Sequence, residues 1–156
     1  MSEGALALPD AAATEALGRA LGPLLRVGDV VALFGDLGAG KTSLARGALA
    51  ALGLAEEAPS PTFAIVQPYA PPEVALPVAH VDLYRLDAPE VAEELGLDDL
   101  LEDGALLIEW PERLGDALWP QALRLTLAPD ATGGRRLTWA ASAAWETRWP
   151  PTEPAR

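Results

Sequence analysis

A glycine-rich segment, residues 35–42, constrains the fold of this chain more than any other feature. It reads Gly-Asp-Leu-Gly-Ala-Gly-Lys-Thr and fits the pattern G-x-x-x-x-G-K-[ST] at every fixed position. An apolar run, residues 30–34, precedes it, and leucines and alanines at helical spacing follow it until Gly53. A glycine-rich segment between a buried strand and a helix is typical of a phosphate-binding loop, because its backbone can approach an anion closely. The sequence therefore predicts a nucleotide site at a strand–helix junction.

Each fixed position of this loop has an expected role in binding a nucleotide. Backbone N–H groups should surround the phosphates, Lys41 should reach the β- and γ-phosphates, and the hydroxyl of Thr42 should bind Mg²⁺. A simple turn between strand and helix is the alternative, and the matching flanks disfavour it. The predicted nucleotide-binding residues of the loop are Gly35, Asp36, Leu37, Gly38, Ala39, Gly40, Lys41, Thr42 and Ser43.

Two acidic residues in later apolar runs are predicted to act in catalysis together with the loop lysine. Glu109 follows residues 105–108 as the acid of a Walker B strand does, and Asp82 lies within residues 78–83. Ligands of open α/β sheets bind at the carboxyl ends of the strands, so both carboxylates should face the nucleotide. Glu109 would hold Mg²⁺ or orient an attacking water, and Asp82 would position metal or water. The alternatives are an exposed strand-end acid for Glu109 and a salt bridge to Arg85 for Asp82.

Other residues near these motifs have roles that the pattern leaves open. His80 is expected to be a structural hydrogen-bonding residue rather than a catalyst. Trp110 either packs in the core, which is favoured, or moves with the nucleotide state. Ser60 and Thr62 lie in a Ser-Pro-Thr-Phe turn, which either begins a strand or forms a switch that senses the γ-phosphate.

The order of elements predicts the fold class. Asp10 should cap a first helix, and extended segments are expected at residues 63–69 as well as in the apolar runs. Residues 122–127 and 135–140 suggest a hairpin across a glycine-containing turn. The prediction is an α/β fold like that of P-loop NTPases, a mixed sheet with a parallel centre and antiparallel strands, flanked by helices.

Composition limits size, compartment and partners. A chain of 156 residues suits one domain, predicted at 1–145, with a proline-rich, loose tail at 146–156. The chain has no cysteine, no signal-like N-terminus and no membrane-length apolar run, so a cytoplasmic protein without disulfides is expected. The net charge of −12 argues against direct contact with RNA or DNA.

Five segments in order resemble the TsaE (YjeE) family, the bacterial ATPases needed to make threonylcarbamoyladenosine in tRNA. The resemblance extends from about residue 8 to about residue 140. It implies binding of ATP and Mg²⁺, slow ATP hydrolysis, and association with the TsaB–TsaD pair, which modifies the adenosine beside the anticodon. The segments are residues 35–42, 60–63, 80–85, 93–97 and 107–112.

The resemblance also implies roles for single residues. Lys41 and Thr42 would contact phosphate and Mg²⁺, Glu109 would be the Walker B acid, and Asp82 would be required for turnover. Arg135 resembles an arginine near the nucleotide in the last strands. Transfer RNA would be met only through partners. Two other functions remain alternatives: a small P-loop phosphotransferase, and an ATP-gated binding module in which hydrolysis is incidental.

Overall fold

The computed structural model describes residues 2–36, 38–55, 66–86 and 88–151. The α-helices of this part are α1 (Ala11–Leu21), α2 (Lys41–Ala51) and α3 (Leu97–Asp103). Short 3₁₀ helices lie at Gly22–Leu24, Pro89–Leu95 and Pro111–Ala117. The strands are β1 (Ser2–Leu8), β2 (Val30–Phe34), β3 (Val66–Tyr69), β4 (Val78–Asp82), β5 (Ala105–Glu109), β6 (Leu123–Pro129) and β7 (Arg135–Ala141).

All of these strands form one sheet in the order β1-β7-β6-β2-β5-β4-β3. At its centre β2 runs parallel to both β5 and β6, and β4 runs parallel to β5. Toward the edges, β7 pairs antiparallel with β6 and β1, and β3 pairs antiparallel with β4. The predicted mixed sheet with a parallel centre, antiparallel strands and flanking helices is confirmed.

Apolar side chains cover both faces of the central strands, which explains the continuous apolar run in β2. Val31 and Leu33 face a core shared with α1 and α2, whereas Val30 and Ala32 face a second core that includes Leu97 of α3. Strands between two such layers carry apolar residues at successive positions instead of alternating ones. The loop after β2 is therefore attached to the most buried part of the sheet.

Helices α1 and α2 approach each other closely because glycine lies at their contact. A Cβ atom on Gly18 would stand 2.0 Å from the carbonyl oxygen of Leu44, and one on Gly47 would stand 2.2 Å from that of Glu15. Any larger residue would push the helices apart. The predicted cap of α1 is confirmed, since Asp10 Oδ1 accepts the N–H of Ala13 at 2.8 Å.

Strand β1 and helix α3 are elements that the sequence did not predict. Small residues occupy much of β1, and antiparallel pairing with β7 stabilises the strand. In this pairing Ser2 is opposite Ala141 and Leu8 is opposite Arg135. Gly96, with φ of 68°, separates the 3₁₀ helix Pro89–Leu95 from α3. Strand β1 thus depends on a partner that is distant in sequence.

The loose tail predicted from residue 146 is wrong for its first residues. Trp145 is 0% exposed and Trp149 is 2% exposed, and both belong to the core that includes residues of α1 and α2. Arg148 Nη1 lies 2.6 Å from Asp29 Oδ2, and Nη2 lies 3.0 Å from Oδ1. A buried ion pair and two tryptophans hold this segment, whereas residues 152–156 lie outside the described part. No helix among the described residues is both long and apolar enough to span a membrane.

Candidate functional site

The residues predicted for catalysis lie around one cavity of about 220 Å³ at the carboxyl ends of β2, β4 and β5. We call it the loop cavity. The structure thus brings together Lys41, Asp82 and Glu109, which are far apart in sequence. Leu37 lies outside the described residues. The lining residues are Gly38, Ala39, Gly40, Lys41, Thr42, Ser43, Asp82, Glu109 and Trp110.

The glycine-rich loop turns directly from β2 into α2. Gly35 and Gly40 have φ values of 144° and 104°, in the region that residues with a side chain rarely adopt. A Cβ atom on Gly35 would also stand 2.6 Å from the carbonyl oxygen of Leu127. The first N–H groups of α2 lack acceptors within the helix and lie at this end, where the helix dipole also favours an anion.

Lys41, the first residue of α2, is buried at the cavity and only 4% exposed. Its ammonium group donates a hydrogen bond to the carbonyl of Gly35 and lies 3.6 Å from the ring centroid of Trp110. Burial lowers the pKa of Lys41, and the negative charge of Glu109 is the largest effect that opposes this shift. An ammonium held in this way is available to an anion that enters the cavity.

Glu109, at the end of β5, is 3% exposed, so the alternative of an exposed strand-end acid is wrong. The hydroxyl of Thr42 lies 2.9 Å from Oε1 and 3.0 Å from Oε2 of this carboxylate. On the neighbouring strand, His80 Nε2 lies 2.7 Å from Oε2. The sequence did not indicate that His80 contacts Glu109, although its place two residues before Asp82 puts both on the same face of β4.

Asp82 is 6% exposed and lies opposite Glu109 in the parallel pairing of β4 with β5. Its Oδ1 accepts the backbone N–H of Tyr84 at 2.8 Å. Burial raises the pKa of Asp82, the Tyr84 N–H opposes the shift, and the charge of Glu109 adds to it. The negative charge of Glu109 therefore disfavours ionisation of Asp82, and the Lys41 ammonium partly offsets this effect.

The oxygen donors of the loop cavity fit a Mg²⁺ ion that is shared with a nucleotide better than a metal ion that is bound by protein side chains alone. In the part of the chain that the structure describes, no group of three His, Cys, Asp or Glu residues is placed to bind a metal ion. The Thr42 hydroxyl and the Glu109 carboxylate, however, lie in contact. Mg²⁺ in nucleotide sites takes one or two such protein ligands and completes its shell with phosphate oxygens and water.

A second cavity, of about 250 Å³, lies on the other side of the glycine loop and is called the hairpin cavity. The sequence does not indicate this cavity, because the Gly133–Gly134 turn by itself predicts only the connection of a hairpin. Asp10 and Thr14 bring the start of α1 to the same place. Its lining residues are Asp10, Ala11, Thr14, Gly38, Gly40, Ser43, Gly133, Gly134 and Arg135.

The side chain of Arg135 contacts backbone carbonyl groups of the glycine loop. Its Nε donates to the carbonyl of Ala39 at 3.1 Å, and Nη2 donates to that of Gly38 at 3.0 Å. The guanidinium thus fixes two of the carbonyls of the loop and also lines the hairpin cavity. A position beside the nucleotide is compatible with both contacts, and direct contact with a nucleotide stays a prediction.

The switch candidates divide into two groups. Ser60 and Thr62 lie outside the described residues. Trp110 has a φ of 61° and packs against the second core, with its ring centroid 4.9 Å from that of Tyr84. The indole therefore packs and lines the loop cavity at once, and its movement with the nucleotide stays a prediction.

Comparisons with known proteins agree with one another. Residues 8–137 match the family model described as threonylcarbamoyl adenosine biosynthesis protein TsaE. The TsaE protein of Streptomyces coelicolor is 43% identical over 112 residues, 71% of this chain and 76% of that protein. The TsaE protein of Mycobacterium tuberculosis is 38% identical over 144 residues, 87% of this chain and 86% of that protein.

A solved structure shares the fold as well. The crystal structure of Bacillus subtilis YdiB matches with a TM-score of 0.74 and 29% identity, covering 90% of this chain and 86% of that chain. The family match spans the glycine loop, both acidic strand ends and most of the hairpin. This chain belongs to the TsaE family.

Proposed function

We propose that this chain binds ATP with Mg²⁺, hydrolyses it slowly, and so supports a TsaB–TsaD assembly that threonylcarbamoylates the tRNA adenosine beside the anticodon. The observation that carries the proposal is the convergence of Lys41, Thr42, Asp82 and Glu109 on one cavity at the start of a helix. Membership of a family named for threonylcarbamoyl adenosine biosynthesis supports the process in which the ATPase would act.

In this proposal the two cavities bind different parts of the nucleotide. The loop cavity holds the ammonium and both carboxylates and suits the phosphates, whereas the hairpin cavity suits the nucleoside. Both are lined by Gly38, Gly40 and Ser43, so a single ligand can occupy them across the loop. Asp10, at the mouth of the hairpin cavity, can accept hydrogen bonds from ribose hydroxyls or from a base amino group.

Each residue of the loop cavity has a proposed task in hydrolysis. Lys41 exchanges the Gly35 carbonyl for phosphate oxygens, and Thr42 and Glu109 would hold Mg²⁺, which neutralises charge on the β- and γ-phosphates when bound. Glu109 already lies against the hydroxyl of Thr42, the other proposed Mg²⁺ ligand, which suits a metal-holding role. Positioning of the attacking water is therefore assigned to Asp82 across the strand pair.

Slow turnover follows from the surroundings of the loop cavity. No arginine is among its lining residues within the described part of the chain, and the guanidinium of Arg135 is engaged with the Gly38 and Ala39 carbonyls. An arginine that reaches the transferred phosphate accelerates related enzymes by roughly 10³–10⁵-fold. The same observation favours the second candidate function, an ATP-gated binding module in which hydrolysis is incidental.

Reconstitution of tRNA modification tests the proposal. TsaB–TsaD would be assayed with and without this chain, using ATP or a non-hydrolysable analogue. Modification that needs both the chain and ATP hydrolysis is the expected result. Full modification with the analogue would favour the gated module, and modification that is independent of the chain would refute the proposed role. A labelled metabolite formed from γ-labelled ATP would instead indicate a phosphotransferase.

A further inference from the structure

A fully buried imidazole lies directly behind the acidic residue of the loop cavity. His80, on β4, is 0% exposed, and its Nε2 lies 2.7 Å from Oε2 of Glu109. The proposed function uses Glu109 but gives His80 no task. His80 is not among the residues that line the loop cavity, so it acts on a ligand through residues that do, and Glu109 is the one to which it is hydrogen-bonded.

The hydrogen bonds assign the tautomer of His80. A carboxylate only accepts hydrogen bonds, so the proton between the two side chains belongs to Nε2 of the imidazole. The other ring nitrogen, Nδ1, is buried without a partner among the described residues. An unpaired lone pair is compatible with burial, whereas an unpaired N–H at that position would be rarer and more costly. His80 is thus a donor aimed at Glu109.

Strand pairing explains why this donor reaches the carboxylate. His80 and Asp82 point to the same face of β4, and in the pairing with β5 they lie opposite Leu107 and Glu109. His80 therefore approaches Glu109 from within the sheet, while Thr42 approaches it from the start of α2. Donors from two directions restrict rotation of the carboxylate, so one orientation is fixed before any ligand enters.

We propose that His80 is a positioning residue, which holds the Glu109 carboxylate in the orientation needed to bind Mg²⁺ of the Mg-nucleotide. The inference rests on the proposed function. A purely structural role explains the imidazole less well, because a buried ring with one unpaired nitrogen costs more free energy than an apolar side chain of similar size. The bond to Glu109 is the interaction that such an apolar side chain could not supply.

Three substitutions separate donation from packing. His80→Leu fills the space without a donor, and His80→Gln places an amide N–H near the position of Nε2. His80→Asn carries an amide that is too short to reach Glu109. The control is Val81→Ala, which removes apolar volume from the opposite face of the same strand, in the second core. Thermal unfolding identifies the variants that fold.

The measurement is the Mg²⁺ dependence of nucleotide binding. Calorimetric titrations with a non-hydrolysable ATP analogue at increasing Mg²⁺ give the Mg²⁺ concentration for half-maximal affinity. We expect His80→Leu and His80→Asn to raise it by about 10–100-fold, the usual effect of removing a partner of a metal ligand. His80→Gln should recover most of this loss, and Val81→Ala should leave the value unchanged. Binding in the presence of EDTA should be the same in all variants.

The outcomes distinguish this inference from the proposed function. Wild-type Mg²⁺ dependence in a folded His80→Leu protein would overturn the inference alone. If His80→Leu does not fold, equal values for His80→Gln and His80→Asn would overturn it in the same way. Absence of any Mg-nucleotide binding by the wild-type protein would overturn the proposed function and, with it, the role of His80.

Discussion

Replacing Lys41 with methionine removes an ammonium group and keeps an unbranched side chain of similar length in a site that is only 4% exposed. The chain contains no other lysine, so no neighbouring lysine can take over. In the structure the ammonium donates to the carbonyl of Gly35 and lies over the Trp110 ring, and in a nucleotide complex we expect it to donate to phosphate oxygens. Lys41→Met should therefore weaken ATP binding without removing the packing of the side chain.

The size of the effect follows from the hydrogen bonds that Lys41 gives. One hydrogen bond to a charged group contributes about 1.5–3 kcal/mol, so its loss raises the Kd by about 10–150-fold. ATP at about 100 times the wild-type Kd stabilises the fold by about 2.7 kcal/mol, a rise in Tm of about 5–11 °C for a chain of this length. The same ATP concentration should stabilise Lys41→Met by only about 0.3–1.3 kcal/mol, a rise of about 1–5 °C.

Thermal unfolding with and without Mg-ATP measures both values, and calorimetry gives the Kd directly. Arg113→Met is a suitable control, because Arg113 is an exposed basic residue whose guanidinium lies 5.8 Å from the Tyr84 ring. It is not among the residues that line the loop cavity. This control should show the full wild-type rise in Tm. An ATP-induced rise in Lys41→Met as large as in wild type would refute the assignment of Lys41 to the phosphates.

Two further substitutions test the charges around the site and the packed C-terminal segment. Because burial raises the pKa of Asp82, the folded protein keeps this proton to higher pH than the unfolded chain does, and stability falls as pH rises from the ordinary pKa of an aspartic acid through the raised one. Asp82→Asn should therefore raise the Tm at pH 7, and this gain should disappear in acid, where Asp82 is protonated in both states. The same substitution should abolish turnover, because Asp82 is assigned to the attacking water. An equal Tm at pH 7 would contradict the argument from burial. Arg148→Met leaves the buried Asp29 carboxylate without its cationic partner, which should cost about 3–5 kcal/mol. That loss of stability lowers the Tm by about 6–20 °C. The Asp29→Asn/Arg148→Met double variant removes both charges and should lose less stability than Arg148→Met alone. An equal or larger loss in the double variant would argue against the ion pair as the cause.

The sequence by itself determined the loop and the elements beside it. Residues 35–42 carry fixed glycines and a lysine whose spacing suits one local conformation, and the adjoining strand and helix follow from short-range apolar patterns. The same kind of pattern placed Glu109 and Asp82 at the ends of buried strands. These predictions succeeded because each depends on neighbouring residues and on the rule that parallel strands end at a common edge.

Tertiary structure decided what lies next to what across the chain. The bond between His80 and Glu109 depends on which strands pair and in which register, and the hairpin cavity depends on α1 meeting the turn at Gly133 and Gly134. Trp149 belongs to the core although prolines follow it, because its ring packs against Trp139 of β7 in a cluster shared with the first two helices. Local patterns report which residues become buried, but a partner distant in sequence is selected by the complementary shape and charge of surfaces that exist only in the folded chain.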